Sequence, residues 1–412
     1  MNIAARFQLR REQLRSALSL EKNDLVLFCA NVEPHLGRFV QNHSFLYFTG
    51  CEEPGAVLLM KGDGTEVLLV PRYDGIRQQW VASEIVPSHT NPEDFGVDEV
   101  AYLGERVRGY ALAPFADPAT YQHLMQTVKE SLGDDGRLFV DGQPTMHTLS
   151  YDRRLALEVA MHANLSTDRV FDIHPQVAAL RRRKDDVEIK CIEHAIGITA
   201  EAQKAAKAAI RAGARECEVQ AMLEAEFLKA GCLVPAFPSI IATGVNATIL
   251  HYIDHTATLK KGEMVVVDIG AQYLGYASDI TRTYCVGGDA AMSDRQKELY
   301  ETVLSCQTYI ASVAKPGMWL SNPDKPTQSL QHLTMKFMED HNLKGAMPHG
   351  IGHFMGLDVH DVGDHKQPLA PGDVITIEPG AYLPAEGIGI RIEDDYLLTE
   401  DGVRCLSPQI PK

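Results

Sequence analysis

The 412 residues contain no CxxC pair, no apolar run of membrane-spanning length and no surplus of positive charge. Each absence removes a class of function. The eight cysteines (Cys29, Cys51, Cys191, Cys217, Cys232, Cys285, Cys306 and Cys405) are scattered, which reads as buried reduced thiols rather than a disulfide framework. A net charge of −16 argues against nucleic acid and anionic membrane as partners, because both reward basic surface. No stretch is long and apolar enough for a bilayer. MNIAARFQLRREQLRSAL alternates charged and apolar residues at helical spacing and lacks the unbroken apolar core of a signal peptide. The expectation is a cytoplasmic protein, in which the sequons at Asn42, Asn164 and Asn246 carry no meaning. The strings GIGHFMG and GIGI match neither GxGxxG nor a phosphate-binding loop, and there is no GxSxG elbow.

What is present is ordinary globular usage, 45% hydrophobic and 23% charged. A chain of this length exceeds one hydrophobic core, so two domains are expected. The first, 1–174, reads as α/β. DLVLFCA and RLFVD are strand-like, GAVLLMKGDGTEVLLVPR is a hairpin around Gly62-Asp63-Gly64, and Arg6–Leu18 and Pro118–Leu132 are helical. A proline followed by the basic run RRRK marks a boundary near 172–184. A long helix then starts at Asp185-Asp186 with acidic residues in its first turn, and a second runs through EVQAMLEAEFLKAG to Gly231.

The second domain, 175–412, carries an internal repeat. LKKGEMVVVDIGAQYL and LAPGDVITIEPGAYL align without a gap through Ala271 and Ala381, placing Asp268 and Glu378 six residues after Gly262 and Gly372. Each copy has a second carboxylate downstream on a β-like segment, Asp279 in YASDITRTY and Glu393 in GIGIRIEDDY. That arrangement sets each pair side by side on adjacent strands. A duplicated half-domain with a pseudo-twofold would gather all four at its centre. A single Asp or Glu normally faces solvent. Four at the ends of apolar strands are costly to bury unless cations compensate them. Oxygen-rich ligation with one imidazole suits Mn2+, Fe2+, Co2+ or Zn2+.

The run HGIGHFMGLDVHDVGDH, His349 to His365, supplies the imidazole. His349 and His353 have the spacing of a helical HExxH site. Gly350 replaces the glutamate, however, and three glycines make a poor helix. On an extended strand His349, Ile351 and His353 share one face. His365 is expected at the surface.

In chain order, Asp268 in VVVDIG, Asp279 in ASDITRTY, His353 in HGIGHFMGLDVHD, Glu378 in ITIEPG and Glu393 in GIRIEDD resemble the ligand set of the pita-bread metallopeptidase family, over about residues 175–405. NHSFLYFTGCEEPGAVLL extends the likeness into the first domain, towards that family's aminopeptidase P (Xaa-Pro aminopeptidase) branch. ILHYIDH, GLDVHDVG and GIGIRIED match it too, with a shorter loop between Tyr382 and Gly387.

The resemblance implies an α+β fold, a C-terminal pita-bread domain preceded by a creatinase-like α/β domain that closes the substrate pocket and serves oligomerisation. It implies two divalent ions, Mn2+ first with Co2+ or Zn2+ as alternatives. Asp279 and Glu393 would bridge them, Asp268 would complete one shell, and His353 with Glu378 the other. A hydroxide held between the ions would attack the bond before a proline at the second position of a peptide. Glu378 would be the general base. His360, His251 and His349 would line the site, stabilise the oxyanion and pass protons. Arg391, on the face of Glu393, would meet a substrate carboxylate or support a ligand. The expected assembly is a homodimer or homotetramer. Prolidase, restricted to Xaa-Pro dipeptides, is the alternative; methionine aminopeptidase and metal-free relatives such as creatinase fit less well.

Overall fold

The computed structural model describes residues 3–34, 36–73, 77–81, 85–142 and 151–412. The chain divides into two compact units, Met1–Leu180 and Arg181–Lys412.

The first unit is built on a mixed sheet whose apolar strands are buried on both faces. Its strands are β1 (Leu25–Cys29), β2 (Val57–Lys61), β3 (Glu66–Arg72), β4 (Glu99–Arg106), β5 (Leu138–Val140) and β6 (Val170–Asp172), in the order β4-β3-β2-β1-β5-β6. The hairpin β2–β3 turns at Gly62-Asp63-Gly64 as its sequence predicts. Leu25 and Leu27 of β1 join Leu124 and Val128 of α3 (Gln122–Leu132) and Leu155 and Val159 of α4 (Tyr151–His162) in one core. On the other face Phe28 packs on Phe48 of α2 (His43–Thr49), ring centroids 4.6 Å apart. The first helix, α1, covers Ile3–Leu18. The strand β4 and the helix α4 are additions to the sequence reading. The division at Leu180 falls inside α5 (His174–Arg182) rather than in a linker.

The basic run that marks the boundary is mostly buried rather than solvated. Within the second unit Arg182 donates through Nε and Nη2 to the two oxygens of Asp373 at 2.9 and 2.5 Å, and Lys184 meets Asp361 at 2.8 Å. Arg183 between them is exposed.

The second unit is the duplicated, pita-bread part. Its first half runs α6 (Asp186–Ala209), α7 (Glu216–Lys229), β7 (Ile240–Thr243), β8 (Met264–Ile269), β9 (Gln272–Tyr273), β10 (Tyr276–Ala277) and β11 (Ile280–Cys285). Its second runs α8 (Asp294–Val313), α9 (Leu330–Asp340), β12 (Val374–Ile377), β13 (Gly380–Leu383), β14 (Ile388–Arg391), β15 (Asp394–Leu398) and β16 (Val403–Cys405). Asp185 caps α6 in a capping box with Glu188. In each half two helices pack on an antiparallel hairpin whose ladder is interrupted once. Val265, Val267 and Ile269 face α6 and α7, and Ile375 and Ile377 face α8 and α9. The period of two therefore turns Asp268 and Glu378 away from the helices. Among the described residues no helix is long and apolar enough to cross a membrane.

Asp373 is fully buried and keeps only one backbone donor, Ala370 N, once its arginine is gone. Arg182→Met should therefore cost about 3–5 kcal/mol in urea unfolding, as for other broken buried pairs. Arg183→Met should stay within about 0.5 kcal/mol, as at other exposed sites. Equal effects would refute the assignment.

Candidate active site and metal centre

The interrupted hairpins place the four acids. Asp268 lies opposite Thr281, and Asp279 immediately precedes β11. Ile377 pairs with Asp394, so the next residue, Glu378, falls opposite Glu393. The repeat is thus matched for Asp268 and Glu378 but offset by two residues on the returning strands. A two-residue offset keeps the side chain on the same face. The partner of Asp268 in the register of Glu393 is Thr281, whose hydroxyl donates to Glu393 Oε2 at 2.7 Å.

The histidine run is extended, not helical. His353 O accepts from Thr376 N and Ile351 O from Glu378 N, so this segment lies along β12. Gly352 is required by that approach, since a Cβ there would stand 2.0 Å from Thr376 O. His353 Nδ1 faces the Phe354 carbonyl at 3.0 Å and so carries the proton. Its Nε2 lone pair is left 3.4 Å from Asp279 Oδ2 and 3.7 Å from Glu378 Oε1. Asp279, His353 and Glu393 each offer a ligand atom within 4.8 Å of the others.

A cavity of about 530 Å³ is lined by all nine residues singled out in the sequence: His251, Asp268, Asp279, His349, His353, His360, Glu378, Arg391 and Glu393. Phe237, Pro238, Ile240, Leu250, Ile253 and Val359 form its apolar wall. His360 is exposed within it, its ring 4.1 Å from that of His353. His349 has both nitrogens engaged, Nδ1 with Gly350 O at 2.8 Å and Nε2 with the Tyr382 hydroxyl at 2.9 Å. Arg391 donates to Asp268 Oδ2 at 2.6 Å, to the Tyr382 hydroxyl at 2.9 Å and to Thr281 Oγ1 at 3.2 Å. Of its two expected roles, this geometry is that of supporting a ligand. His365 lies outside the cavity, exposed, against Phe354.

The comparisons with known proteins agree with this architecture. Residues 190–400 match the model of metallopeptidase family M24, and residues 7–109 match the aminopeptidase P N-terminal domain. The chain belongs to family M24. Human Xaa-Pro aminopeptidase 3 is 30% identical over 98% of this chain and 83% of its own length. Xaa-Pro dipeptidase of Pyrococcus furiosus is 37% identical over 55% of this chain and 64% of its own. Among solved structures, Escherichia coli aminopeptidase P with the inhibitor Pro-Leu superposes with a TM-score of 0.81 at 26% identity, covering 99% of this chain and 96% of that one. This M24 chain is accordingly a metallo-aminopeptidase, a hydrolase with a pita-bread domain behind a creatinase-like one. Membership implies divalent metal ions.

The residues present fit such ions. Asp268 Oδ1 and Glu393 Oε1 are buried with no hydrogen-bond partner, an expensive state for a carboxylate unless a cation meets it. Burial, then the neighbouring acids, hold Asp279 and Glu393 well above the ordinary carboxyl range. Glu378 is pushed up to about 7, chiefly by burial. Burial lowers His349 to about 4 and, together with His353, depresses His360, so both rings are neutral at pH 7.

The sequence reading missed Thr281, Tyr382 and Asp395, whose carboxylate accepts from Asp279 N at 3.1 Å. Thr281 was within reach, because strand alternation from Asp279 puts it on the inward face.

Burial favours the protonated forms of Asp279, Glu378 and Glu393 when no cation is bound, and a cation requires their ionised form. Raising the pH therefore favours uptake, with proton release. Calorimetric Mn2+ titration should show affinity rising through about pH 7 and protons released at that pH. An affinity independent of pH between about 6 and 8 would contradict the raised carboxyls.

Proposed function

We propose that this chain removes the N-terminal residue from peptides whose second residue is proline, using two divalent cations, Mn2+ in the first place. The observation that carries this reading is the convergence of Asp268, Asp279, His353, Glu378 and Glu393 on one cavity, two of them with unpartnered buried oxygens. Likeness to Xaa-Pro aminopeptidases over both units supports the substrate class. In this reading Asp268, Asp279, His353, Glu378 and Glu393 would hold the ions, with Asp279 and Glu393 contributing to both. The oxygen-dominated donor set favours a hard cation.

Two such cations would make water acidic enough to ionise near neutral pH and would polarise the scissile carbonyl. The remaining work falls to the chain. Glu378, whose affinity for a proton is raised towards neutrality by burial, accepts the proton of the attacking water. His360, neutral and open to the cavity, donates a hydrogen bond where the oxyanion develops. His251 lines the same wall. His349 is locked between Gly350 O and Tyr382, so it shapes the pocket floor through its ring. Phe237, Pro238, Ile253 and Val359 offer an apolar seat for a proline ring. We further propose a cytoplasmic homodimer or homotetramer, consistent with eight free, mostly buried thiols.

Restriction to Xaa-Pro dipeptides is the second reading, supported by the 37% identity to the P. furiosus Xaa-Pro dipeptidase over 55% of this chain. Rates on Ala-Pro and Ala-Pro-Ala decide between them. Hydrolysis of Ala-Pro-Ala with release of alanine is expected; turnover confined to Ala-Pro would select the dipeptidase.

Glu378→Ala should lower kcat by about 100–10,000-fold, the usual worth of a positioned base, and weaken one ion. Full activity with normal metal content by plasma mass spectrometry would remove Glu378 as the base.

A further inference from the structure

Two buried glutamines outside the cavity hold matching places in the two halves. Gln203 lies on α6 and Gln307 on α8, 1% and 0% exposed. Gln203 Nε2 donates to the carbonyls of Val267 at 3.1 Å and Ile280 at 3.0 Å. Gln307 Nε2 donates to those of Ile377 at 3.0 Å and Ile392 at 3.3 Å. Val267 precedes Asp268, Ile280 follows Asp279, Ile377 precedes Glu378 and Ile392 precedes Glu393. Each of the four acids therefore has a helix-borne amide gripping the backbone one residue away. In each half one amide joins the two strands of the hairpin close to where its ladder lapses.

The orientation of both amides is set from behind. The Tyr284 hydroxyl donates to Gln203 Oε1 at 3.0 Å, and Lys412 Nζ donates to Gln307 Oε1 at 2.5 Å, so each Nε2 points to the strands. Gln307 Nε2 also faces Asp394 Oδ2 at 3.1 Å. A leucine in either place would leave these carbonyls, and the Tyr284 hydroxyl or the Lys412 ammonium, short of a partner, so the amides answer the polar groups of the strands and not the volume between helix and sheet.

We propose that Gln203 and Gln307 are positioning residues for the metal cage, holding the strand pairs at the spacing that keeps the acidic ligands in register for cations. This rests on the two-cation reading above. Gln203 then acts on Asp268 and Asp279, and Gln307 on Glu378 and Glu393.

The test uses the full chain stripped of metal, titrated with Mn2+ alone, alongside circular-dichroism melting and kcat and KM. Gln203→Met and Gln307→Met keep side-chain length and remove the amide. Each should weaken Mn2+ binding in at least one of the two steps by about 10-fold or more, the usual effect of losing a group that orients metal ligands. Folding remains intact, and kcat falls more than KM rises. Both steps within about twofold of wild type in folded variants would overturn the proposal. If either variant fails to fold, Tyr284→Phe or Lys412→Met loosens the same amide more gently. Unchanged Mn2+ affinities in those folded variants would overturn it as well, and a severalfold loss in either step supports it. A wild-type chain that takes up fewer than two Mn2+ would instead sink the two-cation reading itself, and this inference with it.

Discussion

Four carboxylates buried against one another are the constraint on which the second unit depends. Asp268, Asp279, Glu378 and Glu393 share one cavity, and Asp279 and Glu393 are almost entirely shielded from solvent. Desolvation and the neighbouring acids both favour the protonated forms of Asp279 and Glu393. Some oxygens are met by protein, as Asp268 by Arg391 and Glu393 by Thr281. Others, Asp268 Oδ1 and Glu393 Oε1, are buried without a hydrogen-bond partner. Divalent ions turn that electrostatic debt into the centre of a hydrolase.

The duplication makes such a cluster attainable. Each half supplies two helices and an interrupted hairpin, with apolar residues towards the helices and acids away from them. The halves are not copies in every detail. In the second, Glu393 stands directly across from Glu378, while in the first that place belongs to Thr281 and the acid sits two residues earlier. The residue equivalent to Asp279 in the second half is Arg391, by the same offset. The departure is productive: Arg391 braces Asp268 and Thr281 braces Glu393, each reaching from one half to the other.

Much of this was legible in the chain. The repeat around Asp268 and Glu378, the extended reading of the histidine run, the hairpin at Gly62-Asp63-Gly64 and the capped helix start at Asp185 all rest on local pattern. All nine residues singled out for the site do meet in one cavity. The basic run Arg181–Lys184 was read only as a boundary, yet Arg182 and Lys184 are buried in ion pairs with Asp373 and Asp361. Their partners lie far along the chain, so no local pattern announces them. The same holds for Tyr382, which ties up His349, and for Gln203 and Gln307, ordinary polar residues in helices until a strand's carbonyls are set beside them.

Residue identity and spacing by themselves determined which groups are candidate ligands, which face of each strand they occupy and the family to which the chain belongs, because strand period and ligand chemistry are local properties. Only the tertiary structure decided which oxygens are paired and which are bare, that both nitrogens of His349 are taken, and that Arg391 faces Asp268. Those outcomes depend on contacts between segments 33 residues apart, for His349 and Tyr382, to 123 apart, for Asp268 and Arg391, and tertiary packing fixes them.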